Sequence, residues 1–147
     1  DVYKRQHLGK SDKFTSSLMK QVFNQASISL TKEQFIVLCH LESGPQPQTS
    51  LAMITERDKG SLTRLVQTLE RKNYVIKKSS KNDNRVNFVE ITQLGNSILQ
   101  KTKPIVNQVF NDVEQQISPE ELTIAISVLE KIQQNTLKII EQKEINV

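Results

Sequence analysis

Apolar residues recur at helical spacing through most of the chain, and one central stretch departs from that rhythm. From Ser11 to about Ala26, the positions Phe14, Leu18 and Val22 repeat every four residues with Phe23 alongside, as on one stripe of an amphipathic helix. Thr31 and Gln34 have the spacing of a capping box. The run Phe35, Ile36, Val37, Leu38, Cys39 and Leu41 behind them is apolar nearly all round, which predicts a central, buried helix. Gly44-Pro45 stops it, with Gly in the C′ role and Pro unable to continue. Gln46 to Gln48 read as a short extended link, and Thr49 as the cap of a brief helix carrying Leu51, Ala52 and Ile54. A tight polar connection, Thr55 to Asp58, leads into a helix that Asp58 can cap. There Leu62, Leu65, Val66 and Leu69 fall at i, i+3, i+4 and i+7 and face a core.

The departure comes after Lys72-Asn73, where Asn73 suits a left-handed helix end. Tyr74-Val75-Ile76 begins a strand, Ser79 to Asn84 is turn chemistry, and Val86 to Ile91 returns as a second strand. A hairpin this small is unstable alone and must pack on the helices. Thr92 then caps a long helix through Leu94, Ile98, Leu99, Ile105, Val106, Val109, Phe110, Val113 and Ile117, with Pro104 expected to kink or divide it. Ser118-Pro119-Glu120-Glu121 supplies an N-cap, a proline at N1 and a glutamate at N3. The last helix carries Leu122, Ala125, Ile126, Leu129, Ile132, Thr136 and Ile140, broadened by Ile124, Val128, Leu137 and Ile139, and frays from Glu141.

Four helices, a hairpin and two more helices, with the two short central helices joined tightly, predict a winged helix-turn-helix. The fold class is mainly α with a small β-hairpin. Leu62 to Lys72 takes the recognition position. The chain reads as one domain over 1–147, with a winged lobe over 30–92 flanked by helical segments 11–28 and 93–142.

Charge sharpens this reading. Between Arg57 and Ile91 stand Arg57, Lys59, Arg64, Arg71, Lys72, Lys77, Lys78, Lys81 and Arg85 against Asp58, Glu70, Asp83 and Glu90, nine minus four, or +5. The whole chain carries +4, so the remainder sums to −1. A basic concentration on a helix beside a hairpin suits a polyanion, and double-stranded DNA is the expected partner. From Ile105 onward seven acids (Asp112, Glu114, Glu120, Glu121, Glu130, Glu141, Glu144) oppose Lys131, Lys138 and Lys143, a −4 end that belongs away from DNA. Its apolar stripes are broader than a monomer core of this size needs, so these helices are expected to pair two copies.

Other function classes find little support. No run of about 18 apolar residues predicts a membrane span. Asp1 to Lys10 lack the apolar region of a signal peptide, and Asp1 to Gln6, with no initiator Met, read as a truncation point or a cloning remnant and are set aside from the fold. The single Cys39 sits in an apolar run, which disfavours a reactive thiol and fits a reducing cytoplasm. His7 and His40 have no ligand-spaced neighbours, so no metal and no cofactor are expected. The nucleotide-binding and hydrolase motifs are missing, which argues against an enzyme.

On the recognition helix Ser61, Thr63, Arg64, Gln67 and Thr68 share the polar face with Lys59 at its start. Arg and Gln are the side chains that read guanine and adenine edges in the major groove. Lys59, Thr49, Ser50, Lys78 and Lys81 suit phosphates. Arg85 ends the hairpin turn, where a guanidinium enters a narrow minor groove, with Asp83 or Asp58 to orient it. An acidic protein partner for the same basic face is the alternative.

The chain resembles the MarR family of bacterial transcriptional regulators from about Phe14 to Ile140. The resemblance rests on Leu51-Ala52, on Asp58-Lys59-Gly60-Ser61-Leu62-Thr63-Arg64-Leu65-Val66 and on Leu69-Glu70-Arg71-Lys72. It continues through Asp83-Asn84-Arg85 and Ile91-Thr92-Gln93-Leu94-Gly95. Asn73 stands where that family usually has Gly, and Ile91-Thr92 where Leu-Thr is commoner. The resemblance implies a homodimer interlocked by its first and last two helices and a palindromic operator, usually repressed. It also implies release by a small phenolic or hydrophobic ligand, or by oxidation of a thiol near the start of the first helix, where this chain has none.

Overall fold

The computed structural model describes residues 2–79 and 87–145 and comprises two compact units, Asp1–Val109 and Phe110–Val147. Its elements in order are α1 (Val2–Gln25), α2 (Lys32–Leu41), β1 (Gln46–Pro47), α3 (Gln48–Ile54), α4 (Lys59–Arg71), β2 (Val75–Ser79), β3 (Asn87–Ile91), α5 (Gln93–Val113) and α6 (Pro119–Ile145). The core of the first unit gathers Met19 and Phe23 from α1, Val37, Leu38 and Leu41 from α2, and Leu62, Val66 and Leu69 from α4. Val75 and Val89 close it from the sheet, and Leu99, Val106 and Val109 from α5. Burying each such side chain contributes about 1.5–3 kcal/mol.

Most local signals act as expected. Thr31 and Gln34 form the reciprocal capping box on α2. Ser118 and Glu121 do the same on α6, at 3.2 and 2.8 Å. The Thr92 hydroxyl accepts the Gly95 amide at 2.9 Å and starts α5.

Several expectations need correction. α1 begins at Val2 rather than near Ser11, because the intervening Gly9 costs only about 1 kcal/mol in a helix. Its buried stripe runs through Met19 and Phe23, while Phe14, 66% exposed, and Leu18 stay at the surface. Gln46–Pro47 is a strand paired antiparallel with Phe88 and Val89, so the hairpin becomes a three-stranded sheet of order β1-β3-β2. Thr49 does not cap α3, because the chain enters that helix straight from β1 through Pro47 and leaves Thr49 inside the first turn. α5 runs unbroken through Pro104 and stops at Val113, short of Ile117. Leu99 and Thr102 before the proline and Val106 and Val109 after it are buried, and that packing outweighs the lost backbone bond.

One surface network gives a pH-dependent contribution. Lys103 Nζ lies 2.5 Å from Glu42, and Gln100 Nε2 donates to the same carboxylate at 2.7 Å, tying the end of α2 to α5. These bonds, Lys103 first, hold the Glu42 carboxyl below its ordinary 4.5. A folded value below the unfolded one means that the contribution is complete above about pH 4.5 and fades as pH falls through the folded value. Melting curves of the parent and Glu42→Gln should therefore differ at neutral pH and converge in acid. A gap that persists unchanged to about pH 3 would contradict the assignment.

Candidate nucleic-acid interface

The orientation of α4 follows from its own sequence. Asp58 Oδ1 accepts the Ser61 amide at 2.8 Å and fixes the first turn. Leu62, Val66 and Leu69 are fully buried, which fixes the helix about its axis. The C-terminal end is a Schellman motif: Tyr74 N–H donates to the Leu69 carbonyl at 3.0 Å and Asn73 N–H to Glu70 at 2.9 Å. Asn73 takes φ 58°, so it does serve where a glycine would. The same bond pair ends α3 around Glu56, at φ 51°, and thereby sets the turn between the two central helices.

With the apolar stripe inward, Lys59, Gly60, Arg64, Gln67 and Arg71 face solvent. Gly60, Arg64, Gln67 and Arg71 stand at i, i+4, i+7 and i+11, so one ridge carries them. Arg64 and Gln67 have no side-chain partner among the described residues, and neither does Lys59. Their donors and acceptors are available to an incoming group.

The other expected readers are already engaged. Thr63 donates its hydroxyl to the Lys59 carbonyl at 2.7 Å and accepts from Gln48 Nε2 at 2.8 Å, bracing α3 against α4. Thr68 donates to the Arg64 carbonyl at 3.0 Å and accepts from Arg71 at 3.2 Å. Ser61 Oγ accepts from Arg57 at 3.3 Å. Thr49 is exposed and Ser50 half-buried in the first turn of α3.

On the sheet, Lys78 forms an ion pair with Glu90, and Lys77 reaches Glu70 of α4 at 2.9 Å. The positive charge of the described part of the wing is thus partly neutralised within the lobe. Lys81, Asp83 and Arg85 lie outside the described residues, and with Arg85 lies any pairing of it to Asp58. Between α3, α4 and the sheet opens a cleft of about 440 Å³, lined by Thr49, Ala52, Lys59, Leu62, Thr63 and Lys77 among others.

The remaining candidates are quiet. Cys39 is half-buried, and that burial pushes its thiol up from its ordinary value, away from the reactive thiolate. No cluster of metal-ligating side chains occurs among the described residues, and no helix among them is long and apolar enough to cross a membrane.

The lobe has the architecture of a winged helix-turn-helix, and the family that its sequence matches is one of DNA-binding regulators. Residues 17–102 match the family model of the transcriptional regulator SarA/Rot, and the chain belongs to that family. Solved structures agree on the fold. AbsC, a MarR family transcriptional regulator from Streptomyces coelicolor, superposes with a TM-score of 0.78 at 22% identity, covering 93% of each chain. Bordetella bronchiseptica BpsR, whose DNA binding is regulated by 6-hydroxynicotinic acid, gives 0.79 at 19% identity over 87% of this chain and 91% of its own. The C80S mutant of MarR from E. coli complexed with operator DNA gives 0.74 at 23% identity, over 90% and 98%. The MarR-type architecture expected from the residues is therefore present, and the family is one of regulators, not enzymes.

Proposed function

We propose that the protein is a homodimeric, sequence-specific repressor that binds an inverted-repeat operator through two copies of α4. The observation that carries this reading is the ridge of α4, where Arg64 and Gln67 stand free opposite a fully buried stripe. A guanidinium two-pronged on guanine and a carboxamide two-pronged on adenine together read a short half-site. Lys59, Thr49 and Ser50 hold flanking phosphates, while Ser61, Thr63 and Thr68 shape the helix as much as they touch bases. In the wing, Lys78 and Lys81 hold the backbone and Arg85 enters the minor groove, with Asp83 or Asp58 as its orienter. Residues 30–92 are the reading lobe, and segments 11–28 and 93–142 pair two copies of it.

Two equivalent helices related by a twofold axis meet half-sites about 10 bp apart. Occupation of such a site at a promoter excludes the polymerase, which is repression. A small phenolic or hydrophobic ligand releases the DNA, a reading supported by the ligand-regulated neighbour BpsR.

Fluorescence anisotropy with a labelled duplex from upstream of the protein's own gene tests the proposal. Log affinity should fall linearly with log salt, by about 0.9 for each phosphate engaged, and the upstream duplex should win over random duplex by at least about 10³-fold. Equal affinity for both duplexes would reject a specific regulator and leave the basic face to an acidic partner.

A further inference from the structure

Lys72 counts among the bases of the DNA-facing segment, yet its ammonium points elsewhere. It stands at the C-cap of α4, half-buried, and its Nζ donates to the Ser29 carbonyl and, at 3.0 Å, to Gln34 Oε1. Gln34 is itself buried, and the same Oε1 accepts the Thr31 amide at 3.2 Å in the capping box of α2. Ser29 belongs to the link between α1 and α2, and its hydroxyl shares a 2.7 Å hydrogen bond with the Tyr74 phenol. Lys72 and Tyr74, on either side of the left-handed Asn73, thus both reach back to one short connection.

We infer that Lys72 is a positioning residue, not a phosphate contact: it clasps the end of the reading helix to the α1–α2 connection and sets how α4 is held relative to α1. The inference rests on the reading of α4 as the base reader and of α1 as part of the dimer. An ammonium with two protein acceptors and a half-buried stem has little left to offer a phosphate. Burial also lowers its pKa, as expected of a desolvated amine. The clasp joins the helix that reads bases to one of the helices that lead to the other subunit. Loosening it should blur the spacing between the two reading helices before it blurs which bases they read.

The test uses the full chain and the duplex most enriched from a random pool by the wild-type protein. Parallel probes carry one base pair added or removed between the half-sites. Lys72→Met keeps the apolar stem and removes the ammonium. It should weaken the parent duplex about tenfold, leave the salt slope unchanged, and shrink the penalty for altered spacing. Lys59→Met, by contrast, should reduce the slope by about 0.9, the value of one lost phosphate contact, and leave the spacing penalty intact. Gln34→Leu should reproduce the loss seen in Lys72→Met, and the double variant should add little further.

A slope reduced by about one in Lys72→Met would make Lys72 a phosphate contact and overturn the inference. An unchanged spacing penalty at an unchanged folded fraction would also overturn it, since a purely structural bond lowers the melting temperature without altering spacing. If the wild-type protein enriches no duplex, the DNA-reading role fails separately. The clasp is then read by hydrogen exchange, in which Lys72→Met should speed exchange of the Asn73 and Tyr74 amides, and unchanged exchange overturns it.

Discussion

Gly95→Ala should destabilise the winged lobe by about 3 kcal/mol or more, the upper range for overpacking a rigid site. A methyl at this position would lie 2.0 Å from the Tyr74 carbonyl oxygen and 2.9 Å from Ile91 Cγ1. The first contact is with backbone, which cannot swing away as a side chain would. That carbonyl also accepts the Thr92 amide at 3.0 Å, and Thr92 in turn donates its hydroxyl to the Asn73 carbonyl at 2.7 Å. Displacing it therefore disturbs the helix end, the strand start and the cap of α5 together. Gly9→Ala is the control: the added methyl meets nothing within 4 Å, and removing a mid-helix glycine should raise stability by about 0.5–1 kcal/mol. Thermal denaturation of the two variants checks the pair. For a chain of this length the loss corresponds to a fall in melting temperature of roughly 6–12 °C. Equal and small effects from both would mean that the close approach at Gly95 does not exist.

The second large effect belongs to α6. Ile124, Ile126, Val128, Leu129, Ile132, Leu137, Ile139 and Ile140 are all exposed in a single chain, Leu129 and Ile132 at 41% each. Phe14 and Leu18 on α1 and Phe110 and Val113 on α5 are exposed as well. A monomer that left so much apolar surface in water would forgo roughly half of the about 1.5–3 kcal/mol that full burial of each side chain contributes. The proposed pairing of two copies would recover it, with twofold symmetry counting every contact twice. The double variant Leu129→Glu, Ile132→Glu should raise the dimer dissociation constant by on the order of 10³-fold or more, because four carboxylates would have to enter one interface. Sedimentation at micromolar concentration should show a monomer, and DNA affinity should fall with it. A wild-type chain that sediments as a monomer, or a variant that still dimerises, would remove α6 from the proposed interface.

Much of the fold was legible because it is written locally. The stripe of Leu62, Val66 and Leu69, the capping boxes at Thr31 and Ser118, and the left-handed Asn73 need only neighbours within a few residues. Strand β1 was not, since two residues have no period and its partner Val89 lies far along the chain. Nor does periodicity say which partner an apolar stripe meets: Met19 and Phe23 went to the core, and Phe14 stayed outside.

The candidate site divided in the same way. That Arg64 and Gln67 lie on the exposed face of α4 was legible from the helical period alone. A count of charges, however, treats each base as free, whereas Lys77, Lys78 and Lys72 are engaged by Glu70, Glu90 and the Ser29–Gln34 connection. The hydroxyl of Thr63 is likewise spent on Gln48 and the helix backbone, a tertiary fact with no local signal.

The most direct measurement is the DNA sequence that the protein selects from a random pool, determined in parallel for the wild type, Arg64→Ala and Gln67→Ala. The wild type should enrich an inverted repeat with half-site centres about 10 bp apart. Each variant should relax the preference at its own position in both half-sites, with a loss of about 1–3 kcal/mol of discrimination there. An unchanged consensus in both variants, or enrichment without twofold symmetry, would contradict the account of α4 as a paired reading helix.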